Sequence, residues 1–233
     1  MPPAWLQRRI AEPPGKCAVC GAWPAQPLCP ACVGRFAAPC ARCRCCALPL
    51  PGGVEVCGAC VREAPPLDAC FAAVNYAYPW SGLVARFKFQ GEAGWAASFA
   101  ARLRDIPGLA GELGHCDLLL PLPLAPRRLA ERGFNQALLL ARALDARRTE
   151  PRLLLRVRET GAQAALDRRA RQANVQGAFA LEPLRAAEVR GASVLLVDDV
   201  MTSGASLHAA ARVLGQAGAS RVSAVVLART DEP

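Results

Sequence analysis

Three features of the sequence predict an α/β protein, a parallel sheet covered by helices on both faces, preceded by a small module built on a different principle. Short continuous apolar runs such as VLLV (194–197) alternate with helical patterns through the last two thirds of the chain. Eleven of the twelve cysteines fall between Cys17 and Cys70, leaving only Cys116 beyond them. With 233 residues and 53% hydrophobic content, the chain can bury a large core and carry a small companion. The division reads as residues 1–66 for the cysteine-rich module and 67–233 for the α/β domain.

In the α/β part, residues 71–78 (FAAVNYAY) read as a strand, and helical spacing follows in 82–90 and 94–105. Residues 117–124 (DLLLPLPL) form a buried strand ending at prolines, and 135–148 an amphipathic helix. Residues 152–157 and 194–197 are strands, a helix from Ser206 stops at Gly218, and 222–229 closes as a strand. In a parallel sheet of this kind the ligand site lies beyond the carboxyl ends of the strands.

The apolar runs are far shorter than the roughly 20 residues of a membrane span, and the first residues lack the apolar stretch of a leader. The expectation is a cytoplasmic protein without membrane insertion, in a compartment that disfavours disulfides. Zinc is then the natural organiser of the cysteine-rich module, because two Cys-x2-Cys knuckles facing each other supply four thiolates. The first set is Cys17, Cys20, Cys29 and Cys32, with eight residues between the knuckles. The second is crowded, since Cys40, Cys43, Cys45 and Cys46 all precede Cys57 and Cys60. Cys43 and Cys46 leave ten residues to Cys57, closer to the first set than the thirteen left by Cys40 and Cys43. Whether Cys40 or Cys45 replaces a ligand stays open on spacing alone. Four thiolates fill a tetrahedron, so both ions would be structural.

The stretch VDDVMTSGAS (197–206) carries the chemistry. Asp198 and Asp199 follow an apolar strand, and Thr202, Ser203, Gly204, Ala205 and Ser206 lead into a helix. Helix amides and hydroxyls there favour a phosphate, with Gly204 allowing close backbone approach. Carboxylates would repel that phosphate; they suit sugar hydroxyls, or Mg2+ held through water. A diol at one end and a monophosphate at the other describes ribose 5-phosphate. Neither G-x-x-x-x-G-K-[ST] nor G-x-G-x-x-G is present. A net charge of +9 agrees with a phosphate-rich ligand or nucleic acid, although only Lys16 and Lys88 of the 28 basic residues are lysines. His115 and His208 stand alone in the sequence and are read as bystanders.

VDDVMTSGAS resembles the phosphoribosyl pyrophosphate loop of type I phosphoribosyltransferases, usually VDDVxTTGxT, with Ser203 and Ser206 keeping hydroxyls where threonine is common. The order of Cys knuckles, FKF, PLPL, RGFNQA and VDDV is similar to the ComF family, competence-linked proteins with an N-terminal double zinc ribbon. The second ribbon of that family reads CxxCGLP; here CRCCALP (43–49) supports Cys43 and Cys46, while Ala47 departs from the glycine. The resemblance implies a type I phosphoribosyltransferase-like fold that binds phosphoribosyl pyrophosphate with Mg2+. It implies that Asp198 and Asp199 serve catalysis, that 202–206 hold the 5-phosphate, and that Arg127, Arg128 and Arg132 meet pyrophosphate. Lys88 falls at a basic position of the family, and residues 159–179 match its closing loop, with Gln163, Leu166, Arg171 and Asn174 at the family's spacing. Two readings follow: a phosphoribosyltransferase, or a non-catalytic module in natural transformation that contacts single-stranded DNA and DNA-uptake or helicase proteins.

Overall fold

Residues that are apolar without interruption end up covered on both sides. In the computed structural model, which describes residues 15–158 and 177–231, Val194 to Val197 and Val222 to Ala228 are all buried. In chain order the elements are α1 (Pro30–Phe36), α2 (Gly58–Arg62), β1 (Ala69–Asn75), α3 (Trp80–Phe89), α4 (Trp95–Arg104), α5 (Leu109–His115), β2 (Leu118–Pro121), α6 (Pro126–Arg132) and α7 (Gln136–Asp145). They continue as β3 (Leu154–Arg156), β4 (Phe179–Leu181), β5 (Ser193–Met201), α8 (Ala205–Gln216) and β6 (Arg221–Arg229). Four strands form the predicted parallel sheet, in the order β1-β6-β5-β2.

Alternation along β5 sorts its side chains onto two cores. Leu195 and Val197 pack with Phe87 and Phe99 of α3 and α4 and Leu140 of α7. Val194 and Leu196 face Leu207, Ala211 and Leu214 of α8. The helices that follow β2 and β5 therefore cover opposite faces, and a crevice opens between the two strand ends. Among the described residues no helix is long and apolar enough to cross a membrane.

The structure corrects three sequence readings. The strand expected to stop at Val197 runs on to Met201, with Asp198 paired opposite Val226, so the acids lie inside the strand. The strand read at 152–157 is β3; it pairs antiparallel with β4 in a separate two-stranded ribbon. The turn after PLPL contains a helix, α6, begun by Pro126 at its first positions and ended by Gly133 at φ 77°. Gln163, Leu166, Arg171 and Asn174 of the expected closing loop lie outside the described residues.

The cysteine-rich part repeats one design. A helix starts directly after the third cysteine of each set, α1 after Cys29 and α2 after Cys57. The amide of that cysteine donates to the first sulfur of its set, Cys29 N to Cys17 Sγ at 3.4 Å and Cys57 N to Cys43 Sγ at 3.3 Å. Each knuckle then turns through a left-handed residue, Gly21 at φ 73° and Ala47 at φ 56°. The first set keeps a small cluster of its own with Val19, Ala25 and Phe36. Cys43, Cys46 and Cys57 instead join the core beneath α8.

Ala47 is the one non-glycine at positive φ among the described residues. The left-handed conformation costs an L-residue about 1–2 kcal/mol, whereas glycine there loses about 0.5–1 kcal/mol in chain entropy and about 0.8 kcal/mol of methyl burial. Ala47→Gly is therefore expected to fall within about 1 kcal/mol of the parent in denaturant unfolding, while Ala47→Val, branched and fully enclosed, destabilises by several times that.

Candidate functional site

A cleft of about 570 Å³ occupies the crevice beyond β2 and β5. Its walls are the PLPL turn, the end of α3 with Lys88 and Phe89, Arg128 and Arg132 of α6, Asn135 and Gln136, and the chain from Asp198 through Leu207, Ser203 excepted. Such a crevice, where successive helices diverge to opposite faces of the sheet, is where open α/β sheets take ligands.

At the acidic end, Lys88 Nζ lies 2.8 Å from Asp199 Oδ1, with the Asp199 side chain buried and that of Lys88 partly so. Asp198 Oδ1 accepts the amide of Asp199 at 2.8 Å. Burial and then the neighbouring Asp199 charge push the Asp198 carboxyl up to about 7, against the opposing pull of Lys88. The pair thus presents oxygen acceptors on a desolvated wall.

The opposite end is a helix N-terminus entered through a glycine turn. Gly204 sits at φ 76° as the cap before α8, and a Cβ there would lie 2.4 Å from Met201 Cε and 2.9 Å from the His208 ring. Glycine is required by conformation and by space alike. The first amides of a helix have no intrahelical acceptors; here Ala205 N has only a long bond of 3.4 Å to Ser203 Oγ. Ser203 is turned inward and 8% exposed, so its hydroxyl shapes the loop while Thr202 and Ser206 line the cleft.

Along the side wall, Asn135 caps α7 by accepting Leu138 N at 3.2 Å and donates to Leu122 O at 3.1 Å, tying RGFNQ to PLPL. Arg132 donates to Gln136 Oε1 at 3.1 Å and stacks 5.1 Å from the centre of the Phe89 ring. Arg128 also lines the cleft. Arg127 does not; its side chain is 81% exposed and paired with Glu131 one helical turn on. Glu131 and Ala137 also line the cleft, and Tyr76 and Arg156 complete it. The last two stand at the carboxyl ends of their strands, the position that could have singled them out in the sequence.

Away from the cleft, the sulfurs of Cys17, Cys20, Cys29 and Cys32 gather within 4.8 Å of one another, as do those of Cys43, Cys46, Cys57 and Cys60. Cys40 and Cys45 stay outside both groups. Burial opposes ionisation of Cys17 and Cys43, but amide donation to each sulfur overcomes it, taking Cys17 to about 6 and Cys43 to about 7. Burial, reinforced by those neighbours, leaves Cys32 and Cys46 raised, to about 12 and about 11. A cluster in which the first ionisation is favoured and the next is opposed by like charge is one that a divalent cation completes. The donor sets could hold structural zinc.

Comparison with known proteins agrees with this geometry. A family model described as Phosphoribosyl transferase domain matches residues 130–233. DNA utilization protein YhgH of Escherichia coli O6:H1 is 32% identical over 195 residues, 79% of this chain and 82% of that protein. Competence protein F of Haemophilus influenzae is 32% identical over 180 residues, 74% and 78% of the two chains. The chain belongs to the ComF family. Competence protein ComFC of Bacillus subtilis is 32% identical over 148 residues, 63% of this chain and 58% of that one. In this ComF chain the transferase match takes in Arg132, the acid pair and the hydroxyl loop, and begins after Lys88, Arg127 and Arg128.

Two substitutions test the site. A carboxyl raised in the folded state costs stability as pH climbs from its ordinary value of 3.8 through about 7. Asp198→Asn keeps the acceptor for Asp199 N and removes the charge. It should raise the melting temperature at pH 8 and leave it nearly unchanged at pH 4, a difference of up to about 4 kcal/mol, since each tenfold change in proton affinity is worth about 1.4 kcal/mol. Gly204→Ala should destabilise by about 1–3 kcal/mol, read by thermal unfolding.

Proposed function

We propose that this ComF-family protein binds phosphoribosyl pyrophosphate with Mg2+ in the cleft and acts in the uptake and use of DNA. The observation that carries the ligand is the convergence of Asp198, Asp199, Thr202, Gly204, Ala205, Ser206, Arg128 and Arg132 on one crevice. The DNA role rests on kinship with relatives named for competence and for DNA utilization.

In this reading the amides of 204–206 and the hydroxyls of Thr202 and Ser206 receive the 5-phosphate, with the Ser203 hydroxyl shaping the turn from behind. Asp198 and Asp199 accept the ribose hydroxyls. Carboxylate and phosphate oxygens are the donors that Mg2+ takes, so its fit is with Asp198 or Asp199 through water, where it would offset charge on the diphosphate. Arg128 and Arg132 supply planar, permanently charged donors for the pyrophosphate, and Arg132 is held by Gln136 and Phe89. Arg127 contributes only to the potential around the mouth. Turnover would displace pyrophosphate from the anomeric carbon, with rate gained from positioning and from stabilising the departing anion. Two zinc ions, one per cysteine group, would order the N-terminal module, residues 1–66, ahead of the transferase domain, 67–233.

A second reading keeps the pocket and drops the turnover. Phe89 at 70% and Tyr76 at 38% exposure stand beside Arg128 and Arg132 at the cleft mouth, the pairing of aromatic faces and cations on which single-stranded nucleic acid stacks. Titrating phosphoribosyl pyrophosphate and Mg2+ into metal-replete protein should give a saturable heat. Asp198→Ala with Asp199→Ala should weaken it about tenfold to a hundredfold per lost charged hydrogen bond. Absence of heat refutes the first reading. Heat without pyrophosphate release in the presence of bases or amines, together with salt-dependent affinity for single-stranded DNA, supports the second.

A further inference from the structure

The two cysteine groups are not equivalent in what they touch. Arg229, at the end of β6, is 2% exposed. Its Nε donates to Cys46 O at 2.9 Å, on the knuckle of the second group. Its Nη1 reaches Thr230 O at 2.6 Å and Met201 O at 3.4 Å, and Thr230 N returns a bond to Met201 O at 3.1 Å. Met201 Sδ accepts a contact from Cys70 at 3.6 Å. Met201 is also the residue whose side chain crowds Gly204. A small cavity of about 40 Å³ joins the same parts from behind: Cys46, Cys57 and Cys60 on one wall, Ser203, His208 and Arg229 on the other. The second cysteine group is therefore the backing of the phosphate loop. Of the first group, Cys17, Cys29 and Cys32 pack on Val19, Ala25 and Phe36, and Cys20 is exposed.

Charge strengthens the joint. Four thiolates around a divalent cation carry two net negative charges, so a buried guanidinium beside them is balanced as well as hydrogen-bonded. With thiols in place of the metal complex that balance is lost, and a buried cation relaxes toward water. The residue it would release is Met201, three positions before Gly204.

We propose that Arg229 is a positioning residue that couples the second cysteine group to the phosphate loop, so that metal held by Cys43, Cys46, Cys57 and Cys60 and ligand held by 202–206 strengthen each other. The ligand half of this statement rests on the reading of the cleft given above; the mechanical half stands without it. Linkage makes the effect reciprocal.

The test uses the full, zinc-replete chain and amide hydrogen exchange over residues 200–208. Arg229→Gln, which leaves all eight cysteines in place, should retain its zinc and speed exchange in that segment tenfold or more, with Arg229→Lys in between. Cys57→Ser, which removes a ligand of the second group, should speed exchange in that segment as well, and Cys29→Ser should leave it within twofold of the parent. In the parent, phosphoribosyl pyrophosphate should slow the transfer of one zinc equivalent to a chromogenic chelator and leave the other unaffected. Unchanged exchange in Arg229→Gln, or equal effects of Cys57→Ser and Cys29→Ser, overturns the coupling. If Cys57→Ser does not fold, the Arg229 variants and the chelator arm decide. Exchange that responds as expected in a protein showing no heat with the ligand overturns the ligand reading alone.

Discussion

Two carboxylates inside a hydrogen-bonded strand set the terms for the rest of the molecule. Asp198 and Asp199 occupy positions on β5 where the register with β6 would accept any apolar pair, and the strand leading to them is fully buried. Lys88 answers one charge. The other is held at the expense of stability, which is why its proton affinity rises. Functional sites are where proteins tolerate such a cost. The surrounding elements are arranged accordingly: α3 ends so that Lys88 reaches the pair, α6 places Arg128 and Arg132 on the cleft wall, and Gly204 lets the chain fold back from Met201 into α8, whose first residues line the cleft.

How much of this could be read in the sequence depended on whether chemistry or packing decided it. The cysteine groups were legible because four thiolates at knuckle spacing have few other uses, and the structure gathers the sulfurs that spacing favoured, leaving Cys40 and Cys45 aside. The acid pair and hydroxyl loop stood out by residue type, and the structure places Asp198, Asp199, Thr202, Gly204, Ala205 and Ser206 on one cleft. Strand ends were not. Aspartate is a poor strand former, so local preference stopped β5 at Val197, whereas pairing with Val226 and Ala228 carries it to Met201. Helix α6 had its signals, Pro126 and Gly133, but a run of arginines masked them as surface turn. That same helix explains why Arg127 and Arg128 part company: adjacent residues on a helix point about 100° apart, and only Arg128 lines the cleft.

The cysteine-rich segment looked in sequence like a unit apart, and both halves of it pack on the main cores, the first through Leu28, Val33 and Phe36. Its first cysteine group has its own cluster, tied to the sheet side by the Trp80 Nε1 bond to Phe36 O at 2.6 Å. Its second group is part of the main core: Cys43, Cys46, Ala47 and Cys57 bury against residues of β1, β5 and α8. Arg42 adds a bond of 2.8 Å to Asn75 at the end of β1. A cut near residue 66 would therefore open apolar surface on both pieces. Spacing reports the ligands of such a module and is silent on where it sits.

The sign of charge along the cleft constrains what can enter it. Arginines and helix amides favour phosphate at two places, and the acids between them disfavour it. A nucleic-acid backbone brings a phosphate at every sugar, and in DNA each sugar lacks the second hydroxyl of a vicinal pair, so Asp198 and Asp199 would meet repulsion with little hydrogen bonding in return. On the proposed reading, a free ribose bearing phosphate groups at separated positions would meet acceptors and donors in the right order. DNA held by this protein would then lie across the arginines and aromatics of the mouth and the wider basic surface, leaving the floor of the cleft to the small molecule.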